Sequence, residues 1–216
     1  MRTYKIHLIR HGLTQGNLEG KYIGSTDLPL CPQGMAQLEG LLQEGEYPPV
    51  DRVYTSPLLR ARQTAELLFP DRMLVEEPGL RELDFGAFEG KTGAQLEEDP
   101  DFLRWISSPA AAPPGGESGS QLLARVTDAL AHIFAQMMRE QITSVAAVTH
   151  GGVIANLLAA MGLPQREAVR WNVGPGEGYT LLLTPQMWMR DHKFEVYSQL
   201  PWPREELPEQ EGWFWM

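Results

Sequence analysis

Two apolar segments that each end in a polar residue, a histidine and a glycine constrain this chain more than any other feature. The first, Lys5–Ile9, runs into Arg10-His11-Gly12, and the second, Val145–Val148, runs into Thr149-His150-Gly151. Short apolar runs bounded by glycine predict buried strands. Two parallel strands that each carry a histidine at the carboxyl end place both imidazoles on one edge of the sheet, where open α/β folds bind ligands.

Hydrophobic spacing along the rest of the chain predicts strands that alternate with helices. Strands are predicted at 50–55, 74–76, 179–184 and 194–197, besides the two above, and helices at 32–45, 56–68, 95–106 with a break at Pro100, 118–137 and 151–161. Ser56 followed by Pro57 predicts an N-cap and first turn, and Ser118 with Gln121 predicts a capping box. This alternation predicts an α/β three-layer sandwich, with a mainly parallel central sheet and helices on both faces.

The length of 216 residues fits one domain with a sizeable core. We expect a single domain over residues 1–200, followed by a tail over 201–216 that is rich in proline, glutamate and aromatic residues. Because exposed aromatic clusters are unusual, Trp213, Phe214 and Trp215 are expected to dock on the domain or to join two subunits in a homodimer.

Charge and composition limit the classes of partner that the protein can bind and the compartment in which it is expected. A formal net charge of -10 opposes binding to nucleic acid and to anionic membranes. No apolar run is long enough to cross a bilayer, and the first strand begins too early to leave room for a signal peptide. The one cysteine, Cys31, can form no disulfide within the chain. These features predict a cytoplasmic protein.

Several alternative chemistries lack their motifs. A cysteine phosphatase would need arginine six positions after its cysteine, but Gln37 occupies that position after Cys31. The nearest approach to a GxSxG nucleophile elbow begins at Gly116 and ends in Ser120. The sequence contains no GxxxxGK[ST] phosphate loop and no recognisable zinc-ligand spacing.

From its position alone, Arg60 is a candidate to join the two histidines, and a surface ion pair is the equal alternative. Side chains on a helix lean toward its N-terminus, so Arg60, in the first turn after the second strand, points back to the sheet edge. Arg62 is expected on the opposite side. His7, His132 and His192 have no comparable setting and are expected to be structural or solvated.

Six blocks of sequence, in this order, resemble the histidine phosphatase superfamily, which has the phosphoglycerate mutase-like fold. The blocks are Leu8-Ile9-Arg10-His11-Gly12 with Thr14 and Asn17, Gly24-Ser25-Thr26-Asp27-Leu28-Pro29-Leu30, Ser56-Pro57-Leu58-Leu59-Arg60-Ala61-Arg62-Gln63-Thr64-Ala65, Leu80-Arg81-Glu82-Leu83-Asp84-Phe85-Gly86 with Glu89-Gly90, Gly115-Gly116-Glu117-Ser118 and Thr149-His150-Gly151-Gly152. They extend from the start of the chain to Gly152, and the final third is less diagnostic.

The resemblance implies a role for each matched residue. His11 would accept the phosphoryl group, and Glu82 would donate the proton to the leaving group. The remaining residues implied to catalyse or to bind substrate are Arg10, Asn17, Arg60, His150 and Gly151. From the residues alone, Glu76, Glu77 and Glu89 are equal candidates for the proton donor. Leu13 departs from the family, because many members have glutamate directly after the RHG triplet.

The implied reaction is hydrolysis of a phosphate monoester of a small metabolite through a phosphohistidine, with no metal and no cofactor. Two arginines and a second histidine can neutralise the charge that a metal would otherwise balance. The superfamily also contains broad-specificity phosphatases, α-ribazole phosphatases of cobalamin synthesis and phosphoglycerate mutases, and fold-level analogy does not choose among them. The short interval between Glu82 and His150 leaves little chain for the lid that a mutase needs. A binding module that kept the fold and lost turnover is the remaining alternative.

Overall fold

The computed structural model describes residues 2–108 and 110–204. The strands are β1 Tyr4–Arg10, β2 Gly45–Glu46, β3 Arg52–Thr55, β4 Leu74–Glu76, β5 Ser144–Thr149, β6 Gly162–Leu163, β7 Gly178–Leu183, β8 Phe194–Leu200 and β9 Trp202–Pro203. The α-helices are α1 Gln15–Leu18, α2 Pro32–Glu44, α3 Leu59–Leu68, α4 Gly93–Leu96, α5 Pro100–Ser107, α6 Gly119–Glu140, α7 Gly151–Met161 and α8 Pro185–Asp191. Short 3₁₀ turns lie at Pro78–Leu80, Gly86–Phe88 and Ala168–Trp171.

The central sheet has seven strands in the order β4-β3-β5-β1-β7-β8-β6. Neighbours β4, β3, β5 and β1 are parallel, whereas β7 is antiparallel to both β1 and β8. The sheet is therefore mixed but mostly parallel, as predicted. Strand β7 is the one reversed strand, and the segment that joins it to its antiparallel neighbour β8 contains the short helix α8.

Helices cover both faces of the sheet, which confirms the three-layer prediction. Alternate side chains of β1 and β5 face opposite ways. Ile6 and Val145 enter the core beneath α6 and α7, and Ile9 and Val148 enter the core beneath α2 and α3. The edge between these two layers is therefore held rigidly from both sides.

The register of β1 and β5 brings the two predicted histidines together. Arg10 pairs with Thr149 at the carboxyl ends of the two parallel strands. The next amide, His11 N–H, donates to the carbonyl of Thr149 over 2.9 Å. His11 and His150 thus leave the sheet at the same level and on the same edge.

The predicted capping box of α6 is confirmed, because the Ser118 hydroxyl accepts from the Gln121 amide. The predicted N-cap at Ser56 is wrong. Helix α3 begins at Leu59, and its N-cap Leu58 has no side-chain oxygen to offer. Asp27, from a distant loop, accepts from the Leu59 amide over 2.6 Å instead, so a tertiary contact replaces the local cap.

Four further predicted elements differ from the structure in their boundaries. The strand predicted from position 50 is β3, which begins at Arg52. The helical region predicted over 95–106 is two helices, α4 and α5, and Asp99 caps the second. At the C-terminal end, β7 begins one residue early and β8 extends to Leu200. The end of a strand or helix depends on the residues that contact it in the fold, so the boundaries of elements are the features least predictable from sequence.

The start of the predicted tail pairs with the body of the fold, because β9 is antiparallel to β2. The predicted docking of Trp213, Phe214 and Trp215 lies outside the described residues. A single domain over 1–200 stays a prediction, which is supported by one sheet that takes strands from Tyr4 to Leu200. Within the described ranges, no helix combines the length and apolarity needed to cross a membrane.

Candidate active site

His11 lies at the carboxyl end of β1 and is 5% exposed. Its Nδ1 is 2.6 Å from the Gly12 carbonyl oxygen, which can only accept, so Nδ1 carries the proton. Nε2 is then the unprotonated nitrogen. Burial, followed by the charge of Arg60, lowers the pKa of His11 to about 3. The imidazole is therefore neutral at physiological pH, with its in-plane lone pair on Nε2.

Arg60 faces this lone pair from the first turn of α3. Its Nε donates to Nε2 of His11 over 3.3 Å. Its two other nitrogens donate to carbonyls of a loop from another part of the chain, Nη1 to Thr26 over 2.9 Å and Nη2 to Gly24 over 2.8 Å. The side chain is fully buried, so its position is set by these contacts. The predicted placement of Arg60 at the sheet edge is confirmed.

Arg10 and His150 complete a basic cluster around His11. The His11 and His150 rings lie 5.0 Å apart between centroids. Arg10 donates from Nη1 to the Val173 carbonyl over 2.7 Å. Among the described residues, Nε of Arg10 and Nδ1 of His150 are buried and have no hydrogen-bond partner. Buried polar atoms are normally paired, so two unpaired nitrogens here indicate a site that accepts a polar ligand.

Ser56 holds the second histidine. Its Oγ lies 2.9 Å from Nε2 of His150, and both side chains are fully buried. Burial, followed by the nearby charges of His11 and Arg60, keeps the pKa of His150 well below its usual range. The imidazole is therefore neutral in the free protein, and Ser56 orients it.

Glu82 reaches the same edge from the loop after β4. Its Oε2 accepts from the Gly152 amide in the first turn of α7 over 3.0 Å, and its Oε1 accepts from the Leu83 amide over 2.9 Å. Burial raises the pKa of Glu82, although these two amides and the charges of Arg60 and Arg10 oppose the rise. The carboxyl group thus holds a proton to a higher pH than an ordinary glutamate.

A cluster of neutral histidines, arginines and one carboxyl on a parallel-sheet edge matches a known family. The family model for the histidine phosphatase superfamily (branch 1) matches residues 6–192. The chain belongs to the histidine phosphatase superfamily.

Relatives and solved structures agree with this assignment. A candidate phosphoserine phosphatase 2 of Hydrogenobacter thermophilus is 34% identical over 178 residues, covering 78% of this chain and 83% of the relative. An adenosylcobalamin/α-ribazole phosphatase of Escherichia coli K12 is 29% identical and covers 80% of this chain and 86% of its own. The crystal structure of a mycobacterial glucosyl-3-phosphoglycerate phosphatase superposes with a TM-score of 0.73 at 26% identity, covering 94% and 99% of the two chains. The prediction of an enzyme of the histidine phosphatase type is confirmed.

Asn17 and Gly151, the other residues that the family resemblance implied, lie in different settings. Asn17 is half-buried at the end of α1, where its Oδ1 accepts from the amide and hydroxyl of Thr14 in a capping box. This bond orients the side chain and leaves the Nδ2 protons as its donors. Gly151 begins α7, and a Cβ there would lie 3.3 Å from Nε of Arg10. A side chain at Gly151 would therefore press on the guanidinium.

The three remaining histidines lie outside this histidine phosphatase site, as predicted. His7 is buried between the hydroxyls of Thr180 and Ser144. His132 contacts Glu77 on the surface of α6, and His192 ends α8 with its ring against Trp188. Arg62 points away from the site and pairs with Glu76 on the surface.

Other functional-site contacts were not predicted from the sequence. Arg125, on α6, donates to the carbonyls of Gly79, Arg81 and Glu82 and thereby anchors the loop that carries the candidate proton donor. Thr64 accepts from the Gly12 amide over 2.9 Å and so ties α3 to the turn after His11. Thr64 belongs to a family block, but no signal in the sequence distinguishes Arg125 from other surface arginines.

A cavity of about 300 Å³ opens beside Glu82. The residues that line it are charged, uncharged polar or glycine: Ser25, Arg81, Glu82, Asp84, Gly115, Gly116, Glu117, Gln121 and Arg125. Four aromatic residues close to the family motifs in the sequence, Tyr22, Phe85, Phe88 and Trp105, do not line this cavity and cluster with Phe102 in a small core. The space beside the candidate proton donor is therefore polar.

Proposed function

We propose that this protein hydrolyses phosphate monoesters of small metabolites through a phosphohistidine on His11. The observation that carries the proposal is the state of the His11 ring. Its Nδ1 proton is donated to Gly12, and its Nε2 lone pair faces Arg60 at the centre of the basic cluster. A neutral imidazole with a fixed tautomer is the form that attacks phosphorus.

The reaction takes place in two displacements. In the first, Nε2 of His11 attacks phosphorus in line, the phosphorus–oxygen bond to the leaving group breaks, and Glu82 gives its proton to the departing oxygen. In the second, the Glu82 carboxylate takes a proton from water as the water oxygen attacks phosphohistidine. The products are an alcohol and inorganic phosphate, and Glu82 and His11 return to their starting states.

Positive charge stabilises both displacements. Negative charge spreads over the three nonbridging oxygens as the phosphoryl group transfers. Arg10, Arg60 and His150 surround the acceptor nitrogen, and the amino end of α7 at Gly151 adds the positive end of a helix dipole. Nδ2 of Asn17 supplies a further donor. These groups are in place before the reaction, so we propose a mechanism that needs no metal ion and no cofactor.

The polar cavity beside Glu82 supports a polar leaving group, such as a hydroxylated or charged metabolite. Phosphoserine, α-ribazole phosphate and glucosyl-3-phosphoglycerate are the substrates to compare first, because proteins named for them are similar to this chain. We also propose that the protein acts in the cytoplasm, without nucleic acid or membrane as a partner, as a monomer or a homodimer.

Phosphate release from a panel of monoesters, together with trapping of phosphoenzyme, tests this proposal. We expect acid-labile phosphoenzyme in the wild type, none in His11→Ala, and wild-type levels in His132→Asn, a histidine that lies on the surface. Persistent acid-labile phosphoenzyme in His11→Ala would identify His150 as the acceptor. A wild type that bound phosphate but released none from any monoester would be a binding module.

A phosphoglycerate mutase is the alternative of the same family. A mutase must keep water from phosphohistidine while the substrate reorients, which requires a lid. Between Glu82 and His150, α4, α5 and α6 account for much of the chain, and little remains for a lid. We therefore expect phosphate release to exceed isomerisation of 3-phosphoglycerate primed with 2,3-bisphosphoglycerate, and the reverse order would identify a mutase.

A further inference from the structure

Glu89 holds the loop that positions Arg60. The half-buried Glu89 carboxylate accepts hydrogen bonds from three consecutive residues of that loop. Gly24 and Ser25 each donate their amide over 2.9 Å to Oε1, and Thr26 donates its hydroxyl over 2.6 Å to Oε2. The Thr26 amide donates to Oε2 over 3.3 Å. One carboxylate thus accepts from the backbone amides of all three residues of the tripeptide 24–26.

The backbone carbonyls of the same tripeptide bind Arg60. The Gly24 and Thr26 carbonyls accept from the two terminal nitrogens of the guanidinium. Apart from a longer contact to Ile23, the other Arg60 side-chain bond among the described residues is the one to His11. The position of the guanidinium at the acceptor nitrogen therefore depends on where the tripeptide lies.

Close packing makes this arrangement specific. A Cβ at Gly24 would lie 1.8 Å from the Leu83 carbonyl oxygen and 2.7 Å from Oε1 of Glu89. The loop can therefore approach Glu89 only with glycine at this position. The negative charge of Glu89 also offsets part of the burial that lowers the pKa of Arg60.

We propose that Glu89 is a positioning residue for phosphoryl transfer, acting through the loop 24–26 on Arg60. This inference rests on the proposed function, because Arg60 is placed there as a phosphate ligand. Glu89 donates no proton and has no contact with His11 among the described residues. Its role differs from that of Glu82, which belongs to the leaving-group side of the reaction.

The test is a double-variant cycle of Glu89→Gln with Arg60→Ala, with Glu98→Gln as the matched control. Glu98 is an exposed glutamate from the same region of the chain. Glutamine keeps the size of the side chain, but its amide nitrogen cannot accept from the loop. We measure kcat/KM on p-nitrophenyl phosphate and on a sugar phosphate, and the binding of inorganic phosphate by calorimetry.

Glu89→Gln is expected to weaken phosphate binding and to lower kcat/KM by about 10-fold, equally for both substrates, because loss of an acceptor for charge-assisted bonds has this order of effect. In the Arg60→Ala background the same change should have less than a twofold effect, because the two residues act as a unit. Glu98→Gln should match the wild type.

The inference would be overturned if the losses of kcat/KM from Glu89→Gln and Arg60→Ala multiplied in the double variant. It would also be overturned if Glu89→Gln had the same kcat/KM and phosphate affinity as the Glu98→Gln control. A larger loss on the sugar phosphate than on p-nitrophenyl phosphate would also overturn it and would make Glu89 a proton donor. If the folded wild type hydrolysed no monoester, the proposed function would be wrong, but the role of Glu89 could still be tested, because phosphate binding depends on the position of Arg60. Circular dichroism of each variant establishes that it is folded.

Discussion

Nε of Arg60 donates a hydrogen bond to Nε2 of His11 over 3.3 Å. The contact joins the first turn of α3 to the end of β1, and it occupies the one ring nitrogen of His11 that carries a lone pair. A phosphorus atom that approaches this lone pair meets a guanidinium already in place for its oxygens. We therefore propose that Arg60 orients the nucleophile in the free protein and stabilises charge during transfer.

Arg60→Lys should lower kcat/KM on p-nitrophenyl phosphate by about 10²-fold, the usual cost of removing one preorganised donor from a site of developing charge. A lysine cannot reach Gly24, Thr26 and His11 at once, because its ammonium lacks the planar fork of donors. Arg62→Lys, which alters a surface ion pair, is the control and should retain wild-type activity. Comparable values for both variants would contradict the role of Arg60.

Glu82→Gln should slow the hydrolysis of poor leaving groups most. A sugar alkoxide needs the proton as it departs, whereas p-nitrophenolate needs little help. Burial raises the pKa of Glu82, so the donor form is lost as the pH rises through that raised value. We expect the rate on a sugar phosphate to fall over that range in the wild type, and the glutamine variant to lose this dependence. Equal losses on both substrates would make Glu82 a binding residue.

Ser56→Ala should weaken the binding of inorganic phosphate by about 5-fold, since a buried hydrogen bond contributes about 1 kcal/mol. The hydroxyl is the partner of Nε2 of His150, and without it the ring can turn from its position beside His11. Ser120→Ala, at an exposed serine in α6, is the control. Competitive inhibition by phosphate measures the effect, and unchanged inhibition would show that the Ser56 contact is dispensable.

The free energy of unfolding should fall as the pH drops from about 6.5 towards 4. Burial, followed by the charge of Lys5, lowers the pKa of His7 to about 4, and His11 and His150 are lowered as well. The unfolded chain then binds protons that the native state excludes, so stability is present above the unfolded pKa and is lost below it. Each histidine adds a slope of up to about 1.4 kcal/mol per pH unit.

Urea denaturation at pH 7, 6 and 5 measures this slope. His7→Gln should reduce it by about one proton. A slope that His7→Gln did not alter would show that His7 takes up its proton in the folded protein.

Hydrolysis of p-nitrophenyl phosphate should survive an excess of EDTA. Arg10 and Arg60 supply positive charge for the transferred phosphoryl group from the protein itself, and the neutral His150 lies beside His11. Within the described ranges, no group of three or more His, Cys, Asp or Glu is placed to hold a metal ion. Loss of activity in EDTA, with recovery on adding Mg²⁺, would contradict the metal-free mechanism.

Much of the fold was predictable because strong local patterns specify it. The limits of α2, β4 and the start of α6 follow from apolar spacing, from glycine and proline positions and from a capping box. The start of α3 was not predictable, because its cap comes from Asp27 across the fold. The reversed direction of β7 was not predictable either, because apolar alternation is the same for both strand directions.

The sequence by itself determined the two strands that end in histidine and hence the edge on which His11 and His150 meet, because the order of residues along a strand decides which side chain leaves at its end. Only the tertiary structure decided the state of those side chains. The Arg60 contact with His11, the Ser56 contact with His150 and the hydrogen bonds of Glu89 to the loop 24–26 each join residues distant in the chain. Such contacts are made or lost with displacements of a few tenths of an ångström, which packing determines and residue order does not.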